Sequence, residues 1–177
     1  MHRYWSTLWA GVERFARARS ALAATFVWNL AQGAIVPGPT ELMLAPLVLA
    51  EPARAGWLAL VATIGSVLGG CLAWTLGAVS FASLGRPTLA SLGVSEATLA
   101  YAMALMARYG WLFIVTSTLT PLSTKAVSIA AGAAGMPLPI FAAALTLGRG
   151  VRFGAVALLL RAGSGAFHRL LRQRPGA

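Results

Sequence analysis

The chain has 177 residues; 58% carry hydrophobic side chains, only 10% are charged, the mean hydropathy is +0.76 and the net charge is +10. Soluble domains carry about 25% charged residues, so a water-soluble fold is excluded, and the length allows roughly two to six membrane crossings of about 20 residues each. There is no Asp, the acids are Glu13, Glu41, Glu51 and Glu96, the histidines are His2 and His168 near the termini, and Cys71 is the single cysteine. That inventory argues against Cys/His metal centres and a Ser-His-Asp arrangement, and no GxxxxGK[ST] loop or GxGxxG turn is present, so we expect no enzyme, no metal and no cofactor.

Residues 1–20 read as an amphipathic helix. Trp5, Leu8, Trp9, Val12, Phe15 and Ala16 fall on one face, with Arg3, Arg14 and Arg17 on the other, the pattern of a helix lying in the membrane interface. Residues 21–36 are apolar, interrupted by Asn29 and Gln32, which are read mainly as interhelical hydrogen-bonding groups. They end in Pro37-Gly38-Pro39-Thr40-Glu41, and a second apolar run, Leu42 to Ala50, follows. Two short apolar arms around a break predict a re-entrant hairpin, because broken backbone is tolerated at membrane depth only inside protein or beside a watery cavity.

Residues 57–81 predict the cleanest spanning helix, with a GxxxG face at Gly65 and Gly69 that lets another helix approach closely. Residues 82–98 read as a loop, with a helix start at Ser95-Glu96 and a short helix to Arg108. The pattern then returns. Trp111 to Thr120 is an arm, Pro121-Leu122-Ser123-Thr124-Lys125 a break, Ala126 to Ala134 a second arm, and 138–160 a span carrying Arg149 and Arg152. A basic tail, 166–177, follows.

The two halves align. Pro37 to Glu41 matches Pro121 to Lys125, Ala62-Thr63-Ile64-Gly65 matches Leu145-Thr146-Leu147-Gly148, and GxxxG recurs as Gly150 and Gly154. The expected fold class is an all-α polytopic membrane protein with two re-entrant hairpins, each followed by a transmembrane helix. Repeat one is 21–81 and repeat two 99–160, within a membrane domain 21–165. The cations cluster at the two ends of the chain, so the positive-inside rule places both termini in the cytoplasm. That pattern fits a membrane better than nucleic acid. The second repeat is then inverted relative to the first, the plan of secondary transporters. The GxxxG faces suit packing within the chain or a homo-oligomer.

In each hairpin a hydroxyl residue precedes the second arm: Thr40 in the first, Ser123 and Thr124 in the second. This is the position of a helix N-cap. Two helix N-termini facing each other at mid-depth would form an anion site. Glu41 and Lys125 follow the two breaks; the anion for Lys125 is either Glu41 across the pseudo-twofold axis or a ligand phosphate, with Glu41 as ion-pair partner or proton carrier. Arg149 and Arg152 lie one turn apart. A guanidinium at the bilayer centre costs roughly 3 kcal/mol on insertion scales, so they imply a hydrated cavity, or a polar partner that the sequence barely supplies. Arg152, nearer the helix end, has the alternative of snorkelling to the inner surface. Thr40, Ser123, Thr124, Lys125, Arg149 and Arg152 are the candidate substrate-binding residues. Pro37, Gly38, Pro39 and Pro121 shape the breaks. The surplus of cations in this central region is what a phosphate group would neutralise.

The Pro37–Glu41 motif, Ala62 to Gly70, Thr120 to Lys125, Ala130 to Met136 and Gly148 to Phe153 resemble the DedA family, also called the VTT or SNARE-associated domain. The forms around Pro121–Lys125 and Gly148–Phe153 are similar to its YqaA-like branch. This resemblance covers about residues 25–165. It implies two facing re-entrant hairpins in a bacterial inner-membrane protein that moves lipids such as polyprenyl phosphates or phospholipids between leaflets, with dependence on the proton gradient. It also implies that Glu41 and Lys125 correspond to the family's acid and base after the breaks. Many relatives carry a further acid before the first break, where Asn29 and Gln32 stand, and an Arg before the second, where Thr118 and Leu119 stand. The expected function is a lipid transporter acting on a phosphate-bearing membrane lipid. The alternatives are a proton-coupled small-solute transporter and a membrane assembly or stability factor.

Overall fold

A computed structural model describes residues 2–34, 36, 41–91, 93–119 and 124–172, with side chains described except at 2–8, 86, 119 and 166–172. All elements among the described residues are helical: α1 (His2–Arg17), α2 (Arg19–Ala34), α3 (Glu41–Ala50), a 3-10 turn (Pro52–Arg54), α4 (Ala55–Ser80), a π turn (Phe81–Gly85), α5 (Arg86–Ser91), α6 (Glu96–Tyr109), α7 (Trp111–Leu119), α8 (Thr124–Ala133) and α9 (Leu138–Arg172). The stretches Pro52–Gly85 and Leu138–Gly165 are long and apolar enough to cross a bilayer.

Local chemistry explains the ends. Ser95 caps α6 by accepting the Thr98 amide at 3.2 Å, the role its hydroxyl suits. Gly110, at φ 56°, ends α6 and turns the chain straight into α7, a backbone conformation that side chains disfavour.

Three expectations change. Most of the expected loop 82–98 is helical, because the chain runs on from α4 through the π turn into α5, where Leu89 is buried. Next, α8 begins at Thr124, two residues earlier than read. Finally, α9 runs on to Arg172, taking in much of the expected tail, since Ala, Leu and Arg favour helix.

Glycine contacts fix the helix directions. α2 runs parallel to α4, since Gly65 meets the Phe26 carbonyl, Gly69 the Leu30 carbonyl and Gly33 the Ser66 carbonyl. α8 also runs parallel to α4, with Gly77 against Ile129 and Ala133 and Gly132 against Trp74 and Ala78. α9 is antiparallel to α4, because Gly70 meets Leu145 and Thr63 meets Gly150. α7 lies along α9, with Thr118 against Gly148. At these contacts small residues bring backbones together. Gly154, read from sequence as part of the second GxxxG face, meets nothing within 4 Å; Gly148 does that packing.

So α2 runs from the beginning of α4 to its middle, and α3 returns to the beginning. α7 and α8 make the corresponding excursion from the other end. Each first arm packs on the long helix of its own half, α2 on α4 and α7 on α9; each second arm packs on the long helix of the other half, α3 on α9 and α8 on α4. Two apolar clusters follow from this exchange, one around Leu44, Leu47 and Val48 of α3 and one around Val127, Ile129 and Ala130 of α8. The opposite face of α4 turns Trp57, Leu60, Ile64, Leu68 and Leu72 outward, an apolar surface fit for lipid.

Candidate functional site

The end of α2 lies beside the middle of α4, with Gly33 against Ser66 and Gly69, the end of α7 lies on α9, with Thr118 against Gly148, and the charged residues gather near these ends. Glu41 is the first residue of α3, where the helix dipole favours a carboxylate. Arg152 reaches it from α9, with Nε 2.9 Å and Nη2 2.6 Å from Oε1. The same guanidinium donates through Nη1 to the Thr118 carbonyl at 2.8 Å. Thr118 lies in the last turn of α7, where carbonyls lack helical partners. Lys125, in the first turn of α8, donates through Nζ to the Val36 carbonyl at 2.6 Å, just beyond the C-terminus of α2. Each cation therefore closes the negative end of an arm of one pair.

This corrects the expected pairing. Glu41 is held by Arg152, and Lys125 binds a backbone carbonyl of the other pair. Arg152 does not snorkel to a surface. A planar fork of five donors can bridge a carboxylate and a carbonyl at once, which an ammonium point charge does less well.

Arg149 has a different setting. It is 5% exposed, and its Nε is buried with no hydrogen-bond partner. Its guanidinium carbon lies 5.8 Å from the centroid of the Phe153 ring. It feels the charges of Arg152 and Lys125, offset in part by Glu41. A cation over an aromatic face gains about 0.5–2 kcal/mol, less than the several kcal/mol that burying an ion costs. The arrangement suits an incoming anion.

Thr124 opens α8 and gives its carbonyl to the Ser128 hydroxyl at 2.8 Å. Thr40, Ser123, Pro37, Gly38, Pro39 and Pro121 lie outside the described residues. Sequence reasoning missed the carbonyls of Val36 and Thr118 as the sockets for Lys125 and Arg152; their place at the ends of the arms was the available signal. Ser66, fully buried on α4, was also missed. Among the described residues no group of three His, Cys, Asp or Glu side chains converges.

The sequence profile of the VTT domain matches residues 21–162. The chain belongs to the VTT-domain, or DedA, family. No curated protein and no solved structure matches it significantly. The match takes in most of both helix pairs and of both long apolar helices, and every charged residue of the central cluster. As a VTT protein the chain is a membrane protein, of a family associated with membrane transport or lipid-related function.

Proposed function

We propose that this VTT protein moves a phosphate-bearing lipid, a polyprenyl phosphate or a phospholipid, between the leaflets of the bacterial inner membrane. In this reading α2–α3 and α7–α8 are re-entrant hairpins from opposite faces, the two halves form an inverted repeat, and both termini are cytoplasmic. The exchange of second arms between the halves and the link from Arg152 to both Glu41 and the Thr118 carbonyl support it. Hydrocarbon tails stay in the bilayer while the headgroup passes the junction of the tips.

One observation carries the proposal: the Arg149 guanidinium is buried at that junction with an unsatisfied Nε and with Glu41, the nearby acid, already held by Arg152. A phosphate oxygen supplies the acceptor and the opposite charge. Lys125 and Arg152 hold the tips together when the site is empty. A proton taken by Glu41 weakens its hold on Arg152 and frees that guanidinium for the phosphate, which couples movement to a proton gradient. In reconstituted vesicles, Arg149→Ala is expected to lower leaflet exchange of a labelled phospholipid by at least about tenfold, the worth of one charge-assisted hydrogen bond. Exchange at the wild-type rate with normal expression rejects the role.

A second reading, a membrane assembly factor, is favoured by the Glu41–Arg152–Thr118 link, which is complete without any ligand. It predicts that Arg149→Ala leaves exchange unaffected while Glu41→Ala lowers expression. A small-solute carrier instead predicts counterflow of a tail-free phosphate ester.

A further inference from the structure

On α2 and α4 lie three buried polar side chains that the phosphate reading leaves unused. Asn29 is fully buried, Gln32 is 4% exposed and Ser66 is 1% exposed. Asn29 Oδ1, both amide atoms of Gln32 and Ser66 Oγ have no hydrogen-bond partner, and neither has Arg149 Nε. Buried polar groups are satisfied in the great majority of cases, so five orphans on α2, α4 and α9, with α4 packed against both of the others, call for a missing partner.

A Cβ on Gly33 would stand 2.6 Å from the Ser66 carbonyl oxygen, so Gln32 and Ser66 lie on adjoining turns of α2 and α4. Ser66 lies between Thr63, which meets Gly150, and Gly70, which meets Leu145. It is therefore turned toward α9 at the height of Arg149. Asn29 is one turn below Gln32 on the buried face of α2. Its Nδ2 donates to the Thr25 carbonyl at 2.9 Å, which fixes Oδ1 as the free, accepting side.

The inventory of orphans specifies the partner. Arg149 Nε and Gln32 Nε2 need an acceptor, which a phosphodiester supplies. The Asn29 and Gln32 amide oxygens need a donor, which an ionised phosphodiester lacks. An ammonium group would donate, but Arg149 repels it. A hydroxyl both donates and accepts and carries no charge. We infer that Asn29, Gln32 and Ser66 form a subsite for hydroxyl oxygen: water when the site is empty, and the hydroxyl groups of a polyol headgroup when a lipid phosphodiester sits on Arg149. The inference rests on the proposed phosphate site and narrows its ligand to phosphodiesters with a hydroxylated headgroup.

The test compares dioleoyl phosphatidylglycerol with dioleoyl phosphatidylethanol. These lipids share chains, phosphodiester and charge and differ in the hydroxyls. Equimolar lipids are offered to the detergent-purified full chain, and retention is read by native mass spectrometry. The wild type is expected to retain the glycerol lipid over the ethanol lipid by about fivefold to tenfold, the worth of one net hydrogen bond. Gln32→Met and Ser66→Ala bring the ratio toward one, while Arg149→Ala lowers retention of both and keeps the ratio. Equal retention by the wild type, retention of neither lipid, or an unchanged ratio in both variants overturns the subsite, the last because water alone then fills it. Removing an unpaired amide does not unfold a protein, so a Gln32→Met chain that fails to fold also overturns it. Leaflet exchange on the same preparations separates the two claims: a hydroxyl preference without exchange sinks the transport reading and leaves the subsite standing.

Discussion

Arg152 holds Glu41 across 111 positions of sequence, through two nitrogens at 2.9 and 2.6 Å, and its third nitrogen holds the end of α7. One side chain thus ties the tips of both helix pairs to the middle of α9. The pair is neither fully exposed nor sealed, its side chains being 32% and 27% exposed. Its contribution should lie between those of surface and buried ion pairs, about 2 kcal/mol. Glu41→Ala and Arg152→Ala are each expected to lower the detergent melting temperature. The exchanged pair, Glu41→Arg with Arg152→Glu, recovers part of the loss, because a carboxylate at 152 cannot donate to the Thr118 carbonyl. Full recovery contradicts the three-way link.

Arg149 should trade stability for function. Its buried charge has an unmet donor, so Arg149→Leu is expected to raise the melting temperature of delipidated protein by the equivalent of about 1–3 kcal/mol, the penalty of an unsatisfied buried group, while abolishing leaflet exchange. A fall in melting temperature marks Arg149 as a structural cation and contradicts the account.

The contact between α4 and α8 leaves no room for a methyl group. Gly77 lies against the Ile129 carbonyl and Gly132 against the Trp74 carbonyl. Gly77→Ala or Gly132→Ala should cost about 1–3 kcal/mol, the range for overpacking, measured by thermal unfolding in detergent. Gly154→Ala, with nothing within 4 Å, should be neutral or gain up to about 1 kcal/mol from helix propensity.

Arg54 fastens α1 to the membrane domain. Its Nη1 donates to the carbonyls of Ala16 and Ala18, each at 3.0 Å, at the junction of α1 and α2. A cation at a helix C-terminus contributes about 0.3–1 kcal/mol. Arg54→Ala is expected to speed proteolysis near Arg17–Arg19 several-fold and leave the melting of the remainder unchanged.

Much of this arrangement was legible in the sequence because it follows from backbone chemistry. The prolines and glycine at 37–39 and Pro121 separate the apolar arms in the sequence, and α2 and α7 are described as helix to Ala34 and Leu119. Gly65 and Gly69 announced a close neighbour, which is α2. What side-chain reach decides was not legible. Aligned halves place Glu41 opposite Lys125, yet the partner is Arg152 from α9, because a pairing among three helices depends on their rotation and depth. The segment 82–98 reads as a loop around Arg86-Pro87. Burial of Leu89 against the second core outweighs that local signal.

The most direct test is a structure of the protein purified with native lipid, in which phosphate density is located relative to Arg149. The account predicts a headgroup phosphate within about 4 Å of the guanidinium, at the distance of a charge-assisted contact, with acyl density leading out to the bilayer. A guanidinium enclosed only by protein carbonyls, with every lipid phosphate confined to the two membrane surfaces, would contradict it.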